Sequence, residues 1–348
     1  MTAAVDETRM AEAIAVAAAV RSTTSPNPWV GCVLEAADGT VVTGATHPAG
    51  GPHAEAAALA AAAEGGADPD GATGWVTLEP CAHHGRTPPC ADALVAAGVA
   101  RVVVGVLDPD EHVRGAGVER LRAAGVDIAV GVAEDAVRAQ LAPYLKHRET
   151  GRPWVVLKLA ATLDGRTAAP DGTSQWITGP EARADAHRLR AESDAVLVGA
   201  GTVRADDPSL TVRLAGGADP LRVVLGTAPA QARAQPCLEL SGDLGDVMDT
   251  LGGKGVLQLL VEGGATVAHA FHQAGWVDRY VVYLAPALFG GDDARGLFAG
   301  AGAATMADLW RGRIMSVTRL GGDIRIDVAG PPLDVAGPPL AVAGPARG

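Results

Sequence analysis

His53-Ala54-Glu55, Pro80-Cys81 and Cys90 are the residues of this chain best suited to hold a metal and move a proton. One imidazole and two thiolates roughly neutralise a Zn²⁺ ion and leave its fourth tetrahedral position for water, whose pKa falls toward ~7. Glu55 stands two residues from His53, close enough to take the water proton and pass it to a leaving group. A purely structural metal clamp would leave Glu55 without a task. The third ligand has two candidates, His84 three residues after Cys81 and Cys90 further along. Cys90 opens a predicted helix, whose N-terminal dipole favours a thiolate, and two thiolates balance the charge better.

The second half carries a different chemistry. Glu262-Gly263-Gly264 ends a predicted strand and opens a helix, so that backbone can approach a ligand and free amides can face a pyrophosphate. Gly199-Ala200-Gly201 also follows a strand, but Arg204 stands where a dinucleotide fingerprint needs its third glycine, and no suitable helix is expected after it. A Rossmann reading is therefore weak.

The elements that must position these groups alternate between helix and strand. In the first half the pattern predicts helices over 7–21, 54–63, 91–97 and 117–124, and strands over 29–34, 40–45, 74–78, 102–106 and 128–132. The chain turns basic and breaks over 146–153, which places the join between two halves there. Strands over 154–159, 195–199, 222–225, 256–262, 279–284 and 324–328 follow, with helices over 180–192 and 266–274. The rhythm implies α/β architecture, with domains over 1–147 and 148–328. A seven-residue Ala-Gly-Pro-Pro-Leu unit begins at 329 and 336 and starts again at 343, so 329–348 is expected to be a disordered tail.

Length and composition agree with two globular units. The chain has 348 residues, about two domains at roughly 150 each. With 48% hydrophobic and 20% charged residues, bulk disorder is excluded. A net charge of -12 argues against a surface built for nucleic acid, and 3% aromatics argue against base-stacking platforms. No run reaches the ~18–20 apolar residues of a membrane span. The N-terminus lacks the pattern of a secretory signal, so the cytoplasm is the expected location. Four cysteines in this length do not make a disulfide scaffold.

The His-x-Glu and Pro-Cys pattern is that of zinc deaminases. More specifically, Thr24-Ser25-Pro26-Asn27-Pro28-Trp29-Val30-Gly31, His53-Ala54-Glu55 and the run from Leu78 to Cys90 resemble the deaminase domain of the bifunctional riboflavin-biosynthesis deaminase/reductase family. The segments 157–166, 174–178, 199–208 and 261–266 look like that family's reductase domain. The resemblance implies a cytidine-deaminase-like three-layer domain followed by a dihydrofolate-reductase-like α/β domain. It implies zinc on His53, Cys81 and Cys90, Glu55 as proton carrier, and Asn27, His47, His83 and Arg86 lining the pocket. In the second half it implies NADPH on Ala160, Trp176, Thr202, Asp206 and Gly264. Ser174, Arg190, Leu210, Arg213 and Glu262 would then hold the substrate, with Lys158 near the phosphate or the reacting sugar. The family deaminates a diaminopyrimidine ribotide and then reduces its ribose to a ribityl chain.

One departure from the family stands out. Gly226-Thr227 replaces an acidic-plus-serine pair, and the stretch from 226 to 254 is shortened, which predicts weaker NADPH binding. Two other readings follow from the same residues: a deaminase whose second half is a degenerate or dimerising module, and a nucleic-acid-editing zinc deaminase, which the charge disfavours. The expected partners are a small pyrimidine ribotide and further copies of the chain, with neither nucleic acid nor membrane.

Overall fold

The computed structural model describes residues 2–82, 88–110, 113–213 and 215–330. The first half runs α1 (Ala3–Ala18), β1 (Gly31–Glu35), β2 (Val41–Ala45), α2 (Ala54–Gly65), β3 (Thr73–Leu78), α3 (Cys90–Ala96), β4 (Arg101–Val106), α4 (Ala116–Ala123), β5 (Asp127–Val130) and α5 (Glu134–Thr150). Its five strands form one sheet in the order β2-β1-β3-β4-β5, with β1 antiparallel to both neighbours and β3, β4 and β5 parallel.

Helices cover both faces of this sheet, and the pleat shows why. Gly31 and its neighbour Cys32 point to opposite faces of β1. A Cβ on Gly31 would lie 2.0 Å from the Ala13 carbonyl of α1, whereas a Cβ on Gly44, the partner of Cys32, would lie 2.3 Å from the Ala54 carbonyl of α2. Glycine on the strands and alanine on the helices let both helices approach closely. The start of α2, which carries His53 and Glu55, is thereby held against the sheet.

The second half runs β6 (Trp154–Thr162), β7 (Arg166–Ala168), α6 (Pro180–Ala191), β8 (Ala195–Gly199), α7 (Ala200–Asp206), β9 (Leu221–Leu225), β10 (Leu238–Leu240), α8 (Leu244–Gly253), β11 (Gln258–Val261), α9 (Ala265–Gln273), β12 (Arg279–Ala285), β13 (Arg295–Gly296), β14 (Arg313–Leu320) and β15 (Asp323–Ala329). Eight strands form a mixed sheet in the order β10-β9-β8-β11-β6-β12-β15-β14, parallel from β10 to β12 and antiparallel beyond. Alternate residues feed two cores. Val155, Leu157, Leu197, Val223 and Leu259 pack toward α8 and α9, while Val156, Val196, Val224 and Leu260 pack toward α6 and α7. Strands buried on both faces read as the near-continuous apolar runs seen in the sequence.

Several elements differ from the sequence expectation. The 17-residue helix α5 was not expected, because Pro143 lies inside it and charged residues separate its apolar positions. Its buried Val137, Leu141, Tyr144 and Leu145 nevertheless follow helical spacing. The expected domain limit at 147–148 falls in the last turn of α5. A short seven-residue helix, α7, follows Gly199 and was not read from the sequence. The stretch from 226 to 254 still supplies an edge strand, β10, and a helix, α8. Strand β14 is exposed along nearly its whole length, so it has no inward and outward alternation to read. Ala329, the first residue of the expected tail, belongs to β15, and residues 331–348 lie outside the described residues.

Candidate active sites in the two halves

In the first half three separate elements deliver the metal-binding set. His53 is the N-cap residue of α2, Cys81 follows β3 after Glu79-Pro80, and Cys90 is the first residue of α3. Their ligand atoms all lie within 4.8 Å of one another. His53 Nδ1 is 3.6 Å from Cys81 Sγ and 3.4 Å from Cys90 Sγ, and the Cys90 N–H points at Cys81 Sγ at 3.4 Å. A nitrogen and two sulfurs converging this closely fit a tetrahedral zinc ion that keeps one position open. The Cys81 thiol is lowered by its hydrogen bonds from Cys90 and His53, while Cys90 is pushed up by the same contact with Cys81 and by burial. Among the described residues Cys90 stands in reach of the third ligand position; His84 lies outside the described residues, as do His83 and Arg86.

Glu55 lies in the first turn of α2 and is 4% exposed. Burial pushes its carboxyl up to about 7, so it can both accept and give a proton near neutrality. It opens, with His53 and Cys81, on a cavity of about 250 Å³ that Asn27 also lines. His47, expected in this pocket, is exposed on the loop after β2 and does not line the cavity.

Two parts of this site were not anticipated. The first is Glu79, 4% exposed, whose Oε1 accepts the N–H of Gly117 and Val118 at 3.0 and 3.2 Å and whose Oε2 accepts those of Gly115 and Asp108 at 2.9 and 3.2 Å. It ties the strand-to-cysteine turn to the start of α4. Its signal in the sequence was its place directly before Pro80-Cys81. The second is the far wall, built from Asp108, Tyr144 and Arg148. Tyr144 donates its hydroxyl to Asp108 at 3.0 Å, and the Arg148 guanidinium lies 5.2 Å from the Tyr144 ring centre. Tyr144 and Arg148 stand on α5, the helix the sequence pattern concealed.

In the second half one cleft of about 570 Å³ gathers residues from β6, β7, β8, α6, α7, the end of β11 and three loops. It brings together Lys158, Ala160, Ser174, Trp176, Arg190, Thr202, Asp206, Leu210, Arg213 and Glu262, all expected there. Gly264 adjoins it, since a Cβ at Gly264 would lie 3.5 Å from Thr202 Oγ1. At Gly263 a Cβ would lie 2.4 Å from the Val267 Cβ, so only glycine permits the sharp passage from β11 into α9. That bare turn and the α9 N-terminus next to the cleft fit the diphosphate of a nicotinamide dinucleotide.

The charges in this cleft are partly paired. Arg190 and Glu262 form two parallel hydrogen bonds, Nε to Oε1 and Nη2 to Oε2, each 2.8 Å. Burial alone would raise the Glu262 carboxyl, but Arg190 overrides it and holds the group below its usual range. Arg190, expected on a phosphate, thus spends two donors on Glu262 and a third on the Thr211 carbonyl at 3.2 Å. Burial pulls the Lys158 ammonium down. Ser174 donates to Asp206 at 3.1 Å, and Arg183 lies 4.8 Å from the ring centre of Trp176, which is 70% exposed and free to meet a flat ligand. Arg233, from the stretch expected to be shortened, also lines the cleft.

Comparison with known proteins matches each half to a family model. A family model described as the cytidine and deoxycytidylate deaminase zinc-binding region matches residues 4–106, and one described as the RibD C-terminal domain matches residues 153–326. The riboflavin biosynthesis protein RibD of Escherichia coli (strain K12) is 41% identical, covering 93% of this chain and 99% of its own length. RibD of Mycobacterium tuberculosis (strain ATCC 25618 / H37Rv) is 42% identical over 89% of this chain and 93% of its own. Among solved structures, Acinetobacter baumannii RibD superposes with a TM-score of 0.87 at 39% identity, covering 95% of this chain and 100% of that one. The Thermotoga maritima diaminohydroxyphosphoribosylaminopyrimidine deaminase/5-amino-6-(5-phosphoribosylamino)uracil reductase superposes with a TM-score of 0.85 at 32% identity, covering 94% and 99%. With a zinc-deaminase region and a reductase domain in the same order and nearly the same extent as these relatives, the chain belongs to the RibD family of bifunctional riboflavin-biosynthesis proteins.

Proposed function

We propose that the first half deaminates 2,5-diamino-6-(5-phosphoribosylamino)pyrimidin-4-one, and that the second half reduces the ribose of the resulting 5-amino-6-(5-phosphoribosylamino)uracil with NADPH. The observation that carries this reading is the convergence of His53, Cys81 and Cys90 beside the buried Glu55, in a chain whose other half gathers a dinucleotide-sized cleft. His53, Cys81 and Cys90 would hold a zinc ion, which when bound would supply a water nucleophile at neutral pH. Glu55 takes a proton from the attacking water and returns it to the ring nitrogen and the departing ammonia. Asn27 orients the pyrimidine within the cavity.

In the second half Arg213 takes the ribotide phosphate, and Arg190 fixes Glu262 facing the substrate. NADPH supplies the hydride. Lys158 and Glu262 hold the protons exchanged as the ribosylamine ring opens. Ala160, Trp176, Thr202, Asp206 and Gly264 contact the cofactor, and Ser174 and Leu210 the sugar. The join between the halves lies between the end of α5 at Thr150 and the start of β6 at Trp154.

We also propose a homo-oligomer working in the cytoplasm. Among the described residues no helix is long and apolar enough to cross a membrane. The edge strand β14, paired only with β15 among the described residues, exposes Ile314 by 62% and Val317 by 60%, and a second copy can pair with such an edge through a two-fold axis.

The test is incubation of the zinc-loaded chain with the diaminopyrimidine ribotide, following ammonia release and NADPH oxidation separately. Glu55→Ala is expected to abolish ammonia release and to leave reduction of supplied aminouracil ribotide intact. Ammonia at the wild-type rate from Glu55→Ala would overturn the mechanism.

A further inference from the structure

The deaminase cavity has two walls that carry no metal ligand, and residues of the second half hold both of them. One wall is the loop between α1 and β1, where Pro26, Asn27 and Pro28 line the cavity. Ser25 donates its hydroxyl to Asp194, which stands just before β8. The other oxygen of Asp194 accepts the N–H groups of Leu257 and Gln258, each at 2.8 Å, so the acceptor is itself fixed on the strand ends. Four residues before Ser25, Arg21 donates to Gln258 Oε1 at 2.5 Å, and Gln258 is buried and bonded in turn to Ser193 at 3.0 Å.

The second wall is the C-terminal part of α5, which presents Tyr144 and Arg148. Between them Lys146 reaches Asp278 at 2.6 Å, and the same Asp278 oxygen accepts the Val155 N–H at 2.7 Å. His147 Nε2 donates to the Gly252 carbonyl at 3.0 Å. Residues that bond to the second half are thus interleaved with residues that line the cavity: 25 beside 26 to 28, and 146 and 147 between 144 and 148. Neither the proline-flanked loop nor the helix end can shift without breaking bonds to the other half.

We propose that the second half completes the deaminase pocket, with Asp194 and Asp278 as positioning residues that act through Ser25 and Lys146 on substrate binding. This rests on the deaminase reading of the first half. A misplacement of about 1 Å in a substrate-orienting group can cost up to ~100-fold, so loss of one tether is expected to raise KM about tenfold. The zinc ligands stand on other elements, so kcat stays within about twofold.

The experiment uses the full-length, zinc-loaded chain with Ser25→Ala, Lys146→Met and the two combined. The expected result is a KM for the diaminopyrimidine ribotide raised about tenfold in each single variant and further in the double, with zinc content and the kinetics of reducing supplied aminouracil ribotide unchanged. Ser25→Thr and Lys146→Arg restore the hydrogen bonds and should restore KM. An unchanged KM in both single variants overturns the proposal, as does a fall in both activities together, which marks general loss of folding. A wild-type chain that releases no ammonia overturns the deaminase reading and this proposal with it.

Discussion

Glu79→Gln is the substitution that most sharply tests how the metal site is held. Each carboxylate oxygen of Glu79 accepts two backbone N–H groups, from Gly117 and Val118 on one side and from Gly115 and Asp108 on the other. Glutamine keeps the shape but turns one oxygen into an amide NH₂, which has nothing to accept with. One pair of N–H groups keeps its acceptor, and the other pair faces a donor. Two orphaned backbone donors at ~1–3 kcal/mol each give a loss of about 2–6 kcal/mol, centred near 4. The lost negative charge at the start of α4 adds roughly 0.3–1 kcal/mol. For a unit of about 150 residues, 4 kcal/mol corresponds to roughly 8–16 °C in the unfolding midpoint. Cys81 lies two residues beyond Glu79, so zinc is expected to be held less tightly. The assays are thermal unfolding and zinc content after dialysis against a weak chelator. A Glu79→Gln chain with a wild-type midpoint and full zinc would refute the view that this carboxylate anchors the strand-to-cysteine turn.

Two further outcomes follow from other parts of the structure. Asp6 accepts from Trp75 at 2.9 Å and from both Arg101 terminal nitrogens at 2.8 Å, and the Arg101 hydrogen bonds hold its carboxyl below the usual range. That stabilisation is fully present above the unfolded carboxylate value of ~3.9 and fades as pH falls through the lower folded value; Asp6→Asn should cost about 2–3 kcal/mol at neutral pH and less below pH ~3, measured by urea unfolding across pH. Gly263→Ala drives a methyl group into Val267, 2.4 Å away, and should weaken NADPH binding by titration and destabilise the second half by about 1–3 kcal/mol, with ammonia release unchanged.

The chemistry of the first half was readable because its residues sit in short, dense motifs at element ends. His53 and Glu55 open a helix, and Cys81 and Cys90 bracket a strand-to-helix passage, so residue type and local position together named the site. The α/β rhythm was readable for the same local reason, since buried strands of Val and Leu contrast with Ala-rich helices. Elements with mixed or exposed faces were not: α5 hides its apolar spacing among charges around Pro143, and β14 has no buried face to alternate. His47, which the resemblance placed in the pocket, lies exposed on the loop after β2.

The sequence by itself determined which atoms were available: one imidazole and two thiols for a metal, a carboxyl beside them, and a bare glycine turn before a helix for a diphosphate. It did so because those properties belong to single residues and to neighbours along the chain. Only the tertiary structure decided what surrounds them. Arg190 meets Glu262, Tyr144 meets Asp108, and Ser25 meets Asp194 across 169 positions of sequence, and each encounter depends on how two sheets and their helices pack. Such long-range pairs leave no local periodicity, yet they set which charges are neutralised, which acids are buried, and which walls of the deaminase cavity are bonded to the other half.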